Sequence, residues 1–195
     1  MKKLLNTLAL LIGLGLICYS CVKERPAEQL PSGSPSPQNS QLPKAPSQTY
    51  EQWNLVSGSV YDGDTLRTEK NAQELKIRFC GTDSPEIKQP LGVEAREPLR
   101  SLIEMGNGEL LIVPIEKDRY GRTVAEVYVQ DSKSTAVNLN MQMLRDGYAW
   151  LYGQYANNCP SKEQLVLAEE LAREEKLGVH SGGHQPPWEW RKANK

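Results

Sequence analysis

The chain has 195 residues, 23 basic against 24 acidic side chains, four cysteines and 38% hydrophobic residues. At roughly 100 to 200 residues per domain, this allows one ordinary domain with extensions or two very small ones. The cysteines are too few for a disulfide-dense scaffold and suggest no zinc site. Near-neutrality argues against a protein that coats nucleic acid through many phosphate contacts. The low hydrophobic content, with 15 Gly and 13 Pro, implies that part of the chain lies outside any packed core.

Met1-Lys2-Lys3 opens onto an apolar run from Leu4 to Ile17, followed by Cys18-Tyr19-Ser20-Cys21. A cationic start, a compact apolar stretch and a small residue near its end describe a secretory signal peptide over residues 1–20. The run falls short of the about 20 apolar residues that a spanning helix needs. Export to the cell envelope is therefore expected. Cys21 after Ser20 loosely resembles a bacterial lipobox, which would make Cys21 a lipid anchor at the membrane. Ordinary cleavage after Ser20 with release of the protein, or an uncleaved anchor, are the alternatives. Residues 21–49 are rich in Pro and Ser and poor in apolar side chains. Such a segment cannot bury enough surface to offset its ordering entropy, and it reads as an extended tether.

From residue 50 to 181 the pattern is that of one domain, leaving 182–195 as a C-terminal tail. Leu55–Tyr61, Thr65–Thr68 and Glu74–Phe79 read as short strands, with Asp62-Gly63 as a two-residue hairpin signal between the first two. Gly92–Met105 has helical apolar spacing and ends at Gly106. Leu110–Ile115 and Thr123–Val129 return to strand. Helices follow over Ala136–Arg145 and Lys162–Lys176, the latter with Ser161 as an N-cap and Gly178 as a stop signal. Three strands, a helix, two strands and then helices match an α+β fold: a five-stranded OB-type β-barrel with about three packed helices. No strand–helix–strand unit carries a Gly-rich phosphate loop.

Charged and polar residues concentrate in Asp62-Gly63-Asp64-Thr65, in Arg78 through Glu86, and in Asp118 through Arg122. Each taken singly could be an ordinary charged turn. Alternation sharpens the second: if Ile77 and Phe79 face the core, Arg78 lies on the opposite face and needs an anion, a carboxylate or solvent. Asp64, Asp83 and Glu86 offer hard oxygen donors for a divalent cation such as Ca²⁺ or Mg²⁺. Arg78 and Arg122 could grip a phosphate through planar bidentate forks. Carboxylates with a cation and paired guanidiniums form a set suited to phosphodiester hydrolysis. Cys80 and Cys159 are the thiols outside the N-terminal region; a disulfide and two buried free cysteines are both open. His180 and His184 read as solvated tail residues, and Trp188 and Trp190 as packing for the C-terminal segment.

These motifs, with Gly147-Tyr148-Ala149-Trp150, the Ala168–Arg173 helix and the closing Pro187-Trp188-Glu189-Trp190-Arg191, make the chain similar to the thermonuclease (staphylococcal nuclease-like) family over roughly Leu55 to Ser181. The resemblance implies a Ca²⁺-dependent endonuclease that cleaves the 5′ P–O bond of DNA and RNA and leaves 3′-phosphate ends. It implies Asp64 and Asp83 as direct cation ligands, Ser84 (where the family usually has Thr) as a backbone-carbonyl ligand and Asp62 in support. Glu86 would orient the attacking water and act as general base. Arg78 and Arg122 would bind the scissile phosphate, Arg122 also helping the leaving oxygen depart. Arg119, Tyr120, Tyr152 and Tyr155 are candidate nucleic-acid contacts, in a local segment that departs from the family's spacing.

A monomer acting on flexible or single-stranded DNA and RNA is expected. The competing readings are a noncatalytic OB-fold nucleic-acid-binding or interaction module tethered at the cell surface, and a lipid-tethered structural protein. Neither needs Asp64, Asp83, Glu86, Arg78 and Arg122 as a set. Removing Lys2 and Lys3 with the signal region leaves 21 basic against 24 acidic residues, which fits weak, salt-sensitive engagement of flexible strands and cleavage at one small pocket.

Overall fold

A computed structural model of the chain describes residues 49–133 and 135–194. The signal peptide, the possible lipidation at Cys21 and nearly all of the tether lie outside the described residues. The domain runs β1 (Glu51–Leu55), β2 (Thr65–Lys70), β3 (Gln73–Phe79), β4 (Thr82–Asp83), α1 (Gly92–Met105), β5 (Glu109–Lys117), β6 (Thr123–Gln130), β7 (Ala136–Asn138), α2 (Leu139–Arg145), β8 (Trp150–Leu151), α3 (Gly153–Ala156), α4 (Lys162–Glu174) and α5 (Pro187–Ala193).

The main sheet has the order β3-β2-β1-β5-β6-β7, and a further pairing of β3 with β6 closes its first five strands into a barrel. All its ladders are antiparallel except this closure, where Ile77, Arg78 and Phe79 run parallel to Thr123, Val124 and Ala125. The fold is thus the expected OB-type barrel, α+β, with five α-helices among the described residues rather than about three. Two of them, α3 and α5, are too short to show a helical period in the sequence.

The interior follows from strand alternation. Leu66, Ile77, Phe79, Leu110, Ile112 and Val127 fill the barrel, and Leu99 and Ile103 of α1, Met143 and Leu144 of α2 and Leu165 of α4 pack onto it. Pro114, which cannot donate to a ladder, coincides with a register shift in the β5–β6 pairing. Cys80 and Cys159 are joined in a disulfide with Cα atoms 5.9 Å apart. The bridge ties the end of β3 to the segment that leads into α4.

The hairpin expected at Asp62-Gly63 is not one. β1 ends at Leu55, and both residues lie in the connection 56–64. The tight turn falls instead at Asn71-Ala72, with φ of 50° and 61°, between β2 and β3. Two consecutive positive φ values define the primed turn that matches strand twist, here adopted without glycine. The predicted helix 136–145 begins three residues late. Residues 136–138 pair with β6, and Asn138 caps α2 by accepting from the Met141 N–H.

Two buried polar side chains fasten the helices. Asn140 is fully buried; it accepts from Val127 N–H at 3.0 Å and donates to the carbonyls of Cys80 and Ala125 at 2.9 and 3.2 Å. Glu126, also fully buried, accepts from Tyr128 Oη at 2.7 Å and from the backbone N–H and hydroxyl of Ser161 at 2.6 and 3.0 Å. His180 corrects the expectation of a solvated residue: its side chain is 3% exposed and sits edge-on to Trp150. Burial, reinforced by the nearby Arg173 charge, holds its pKa below the usual histidine value.

Asn140→Ala removes three buried hydrogen bonds to the backbone, although the Ala125 carbonyl keeps one from the Cys80 N–H, and is expected to cost about 2–4 kcal/mol in urea unfolding, at roughly 1 kcal/mol for each hydrogen bond and more for groups left unpaired. Replacing both Cys80 and Cys159 with Ala is expected to lower stability by about 2–4 kcal/mol, because the bridge restrains a long loop of the unfolded chain. An unchanged melting temperature in the double variant would refute that role.

Candidate active site

The expected site residues outside the N-terminal region and the cysteine pair come together. Asp62, Asp64, Arg78, Asp83, Ser84, Glu86, Arg119, Tyr120, Arg122, Tyr152 and Tyr155 all line one open cleft of about 710 Å³ at the mouth of the barrel. Three local devices place its acidic wall. Asp62 accepts from the Asp64 N–H at 3.0 Å, an Asx turn that sets the Asp64 carboxylate. Gly63 has no side chain because a Cβ there would lie 2.6 Å from Ser84 Oγ, so the 62–64 turn presses against the 83–86 segment. Gly92 packs its Cα against the Glu86 carbonyl in the same way, seating the start of α1 behind Glu86.

Asp64 is 3% exposed, and its carboxylate accepts from Thr65 Oγ1 at 3.0 Å and from the Ser84 N–H at 2.6 Å. Asp83, on the small β4–β8 ladder, is 1% exposed. Between them stands Arg78, presented on the outward face of β3 while Ile77 and Phe79 point into the core. Its Nη1 pairs with Asp64 Oδ2 at 2.6 Å and its Nη2 with Asp83 Oδ1 at 2.8 Å.

Burial dominates the electrostatics. Desolvation pushes the Asp64 pKa up to about 7 against the opposing pull of Arg78, with Asp62 adding to the rise. Asp83 is raised by desolvation too, opposed first by its hydrogen bonds from Arg191. Burial alone would lower the Arg78 pKa, but Asp64, Asp83 and Asp62 reverse that and leave it above the ordinary value.

The β5–β6 connection supplies a second part of the lining. Arg122 Nε donates to Asp118 Oδ2 at 2.7 Å, and the Arg122 N–H to Asp118 Oδ1 at 2.9 Å. These bonds outweigh the partial burial of Asp118 and keep its pKa below the usual carboxylate range. Tyr120 lies under the guanidiniums of both Arg119 and Arg122, 4.8 and 5.5 Å from its ring centroid. Tyr152 is stacked at 5.4 Å and nearly parallel to Trp188, with Tyr155 tilted against it at 4.8 Å. Tyr120 and Tyr155, at 69% and 49% exposure, are the aromatic faces that nucleobases could reach.

One site residue escaped the sequence reading. Arg191 of α5 lines the same cleft and forks onto Asp83, Nη1 to Oδ1 at 3.1 Å and Nη2 to Oδ2 at 2.7 Å, while Nη1 also donates to Glu86 Oε1 at 2.8 Å. The signal available was Pro186-Pro187 as a helix start, followed by tryptophans able to anchor a short helix.

Among the described residues no three His, Cys, Asp or Glu side chains form a ready metal-holding group. Asp64 and Asp83 supply two carboxylates that converge on Arg78. Nearby, Thr82 Oγ1 and Ser84 Oγ are buried without a hydrogen-bond partner. An all-oxygen set with two carboxylates fits a hard cation, whose shell is completed by carbonyls and water.

The staphylococcal nuclease homologue family model matches residues 76–181, more than half of the chain. The chain is 35% identical over 141 residues to a micrococcal nuclease of Shigella flexneri, a match covering 70% of this chain and 79% of that protein. It is 35% identical over 133 residues to an uncharacterized endonuclease of Escherichia coli O157:H7, covering 68% and 80% respectively. It is also 36% identical over 123 residues to the staphylococcal-like nuclease CAN1 of Arabidopsis thaliana, covering 62% of this chain and 34% of that protein. With the barrel, the paired carboxylates and the two arginines in one cleft, the chain belongs to the staphylococcal nuclease homologue family.

Proposed function

We propose that this protein is a divalent-cation-dependent endonuclease that hydrolyses phosphodiester bonds in DNA and RNA, favours flexible or single-stranded regions, uses Ca²⁺ and leaves 3′-phosphate ends. The observation that carries this is the convergence of Asp64, Asp83, Glu86, Arg78 and Arg122 on one cleft. Asp64 and Asp83, with the Ser84 carbonyl and Asp62 in support, would hold the cation. When bound, the cation supplies charge neutralisation at the phosphate and orders water beside it.

The protein's own groups do the rest. Arg78 and Arg122 line the same cleft from β3 and from just before the neighbouring β6, and their forks suit the non-bridging oxygens of a phosphodiester. Glu86 stands at the solvent edge, with its side chain 38% exposed, where a carboxylate can accept a proton from an attacking water. Positive charge from Arg122 would stabilise the departing 5′ oxygen. Tyr120 and Tyr155 offer stacking faces that accept any base. The protein would act as an exported monomer held at the cell envelope through Cys21, with the Pro/Ser-rich segment as its spacer.

Incubation of the purified protein with single-stranded DNA and with RNA should give cleavage in Ca²⁺ and none after EGTA, with product ends that are phosphatase-sensitive at the 3′ position. Absence of cleavage with every divalent ion tried would defeat the proposal. Arg78→Lys and Arg122→Lys should each lower kcat by about 10²-fold or more, the scale expected when a transition-state donor is lost, because a point charge cannot reproduce the fork. Melting curves confirm that each variant is folded, and near-normal rates in both would remove the arginines from the mechanism. Metabolic labelling with palmitate should mark the wild-type chain and not Cys21→Ser; equal labelling of the two would dismiss the anchor.

A further inference from the structure

We propose that Arg191 is a positioning residue of this centre: an internal cation that holds Asp83 and Glu86, yields Asp83 to an incoming divalent ion, and keeps Glu86 oriented afterwards. The proposal rests on the nuclease reading of the same cleft. Its starting point is the occupancy of Asp83. Oδ1 accepts from Arg78 Nη2 and from Arg191 Nη1, and Oδ2 accepts from Arg191 Nη2. A carboxylate oxygen offers about two lone-pair sites, so Oδ1 is filled while Oδ2 keeps one, and a cation that Asp83 ligates through Oδ1 or through both oxygens must displace a donor.

The two guanidiniums are unequal candidates for release. Arg78 is held by Asp64 as well and its side chain is 12% exposed, whereas the Arg191 side chain is 40% exposed. A divalent ion beside Asp83 would also repel both guanidiniums, and the more exposed one has open solvent to swing into. Arg191 is therefore the one that lets go.

Release need not be complete. The fork engages Asp83 through both Nη atoms, but Glu86 through Nη1 alone. Rotation away from Asp83 can leave the Nη1–Glu86 bond in place. Among the described residues Arg191 is the one ion-pair partner of Glu86, so nothing else of opposite charge fixes the direction of that carboxylate. The mount is independent of the carboxylates: Pro187 is buried, Trp188 stacks on Tyr152 and meets Trp150 edge-on, and Gln89 Nε2 donates to the Gln185 carbonyl just before α5. Lysine could not replace this guanidinium, since one ammonium cannot present a planar fork to two carboxylates.

Two measurements on the purified protein test the proposal. Calorimetric titration with Ca²⁺ in the absence of nucleic acid reads the exchange at Asp83, and steady-state cleavage of single-stranded DNA at saturating Ca²⁺ reads the orientation of Glu86. Arg191→Ala is expected to bind Ca²⁺ about tenfold more tightly and to lose about tenfold or more in kcat, with KM changed less than about threefold, the signature of a contact used in turnover rather than in binding. Arg191→Lys should restore part of the competition with Ca²⁺ and little of kcat. Trp188→Ala, which unmoors α5 without touching a carboxylate, should reproduce Arg191→Ala, and melting curves verify folding. Unchanged or weakened Ca²⁺ affinity in Arg191→Ala, an undiminished kcat, or no Ca²⁺ binding by wild type and variant alike, overturns the proposal. A wild-type protein that binds Ca²⁺ but cleaves nothing defeats the nuclease reading instead, and the titration still decides the exchange at Asp83.

Discussion

The site is organised by one unfavourable fact, the burial of two carboxylates, Asp64 and Asp83, at the mouth of a hydrophobic barrel. Charges removed from water are tolerated only where geometry and hydrogen bonding are good enough to offset desolvation. Here Arg78 lies between them, and turn, strand and loop converge to make that contact possible. Strand alternation aims Arg78 outward, the Asp62 turn sets Asp64, and the β4–β8 ladder fixes Asp83. The raised pKa of both acids shows that arginine pairing leaves part of the desolvation cost uncompensated. Such a pocket has room for further positive charge: Arg191 already adds a second guanidinium at Asp83, and a divalent cation would compete for the same place.

The scaffold around this contact is held by polar groups as much as by apolar ones. Asn140 links α2 to the backbone of Cys80, Ala125 and Val127, the region where β3 meets β6. Glu126 reaches from β6 to the start of α4 at Ser161. The disulfide joins the same two regions, so the helices and the two strands nearest the cleft are cross-tied by several kinds of bond. Rigidity of that kind suits a site whose work depends on where its charges are held.

What was legible in the sequence follows from range. Arg78, Asp83 and Glu86 sit within nine positions, and alternation around Ile77 and Phe79 predicts the face of Arg78 from neighbours alone. The barrel class followed from the order of short periodic segments. Asp62-Gly63 misled because the same dipeptide serves a hairpin and an Asx turn, while the true hairpin uses Asn71-Ala72, in which the second residue carries no usual turn signal. Asn138 looked interior to a helix because its role as a cap depends on pairing of β7 with β6. Arg191 lies 108 residues from Asp83 in the chain and is brought to it by aromatic packing on α5. No local pattern encodes a contact of that span, and His180 was misjudged for the same reason.

The parallel closure of the barrel bears on how such a centre can vary. Arg78 stands opposite Val124, and Arg122 immediately precedes the Thr123 that pairs with Ile77. The spacing between the two guanidinium-bearing positions is therefore gauged by the ladder itself, at about 3.3 Å per residue of slip. Residues 119–121 hang outside that gauge, whereas Asp118 belongs to it through its bonds to Arg122. Insertions or deletions there would remodel the exposed rim around Tyr120 while the spacing of the two arginines stayed put, so the outline of the cleft and the placing of its charges behave as separately replaceable parts of one fold.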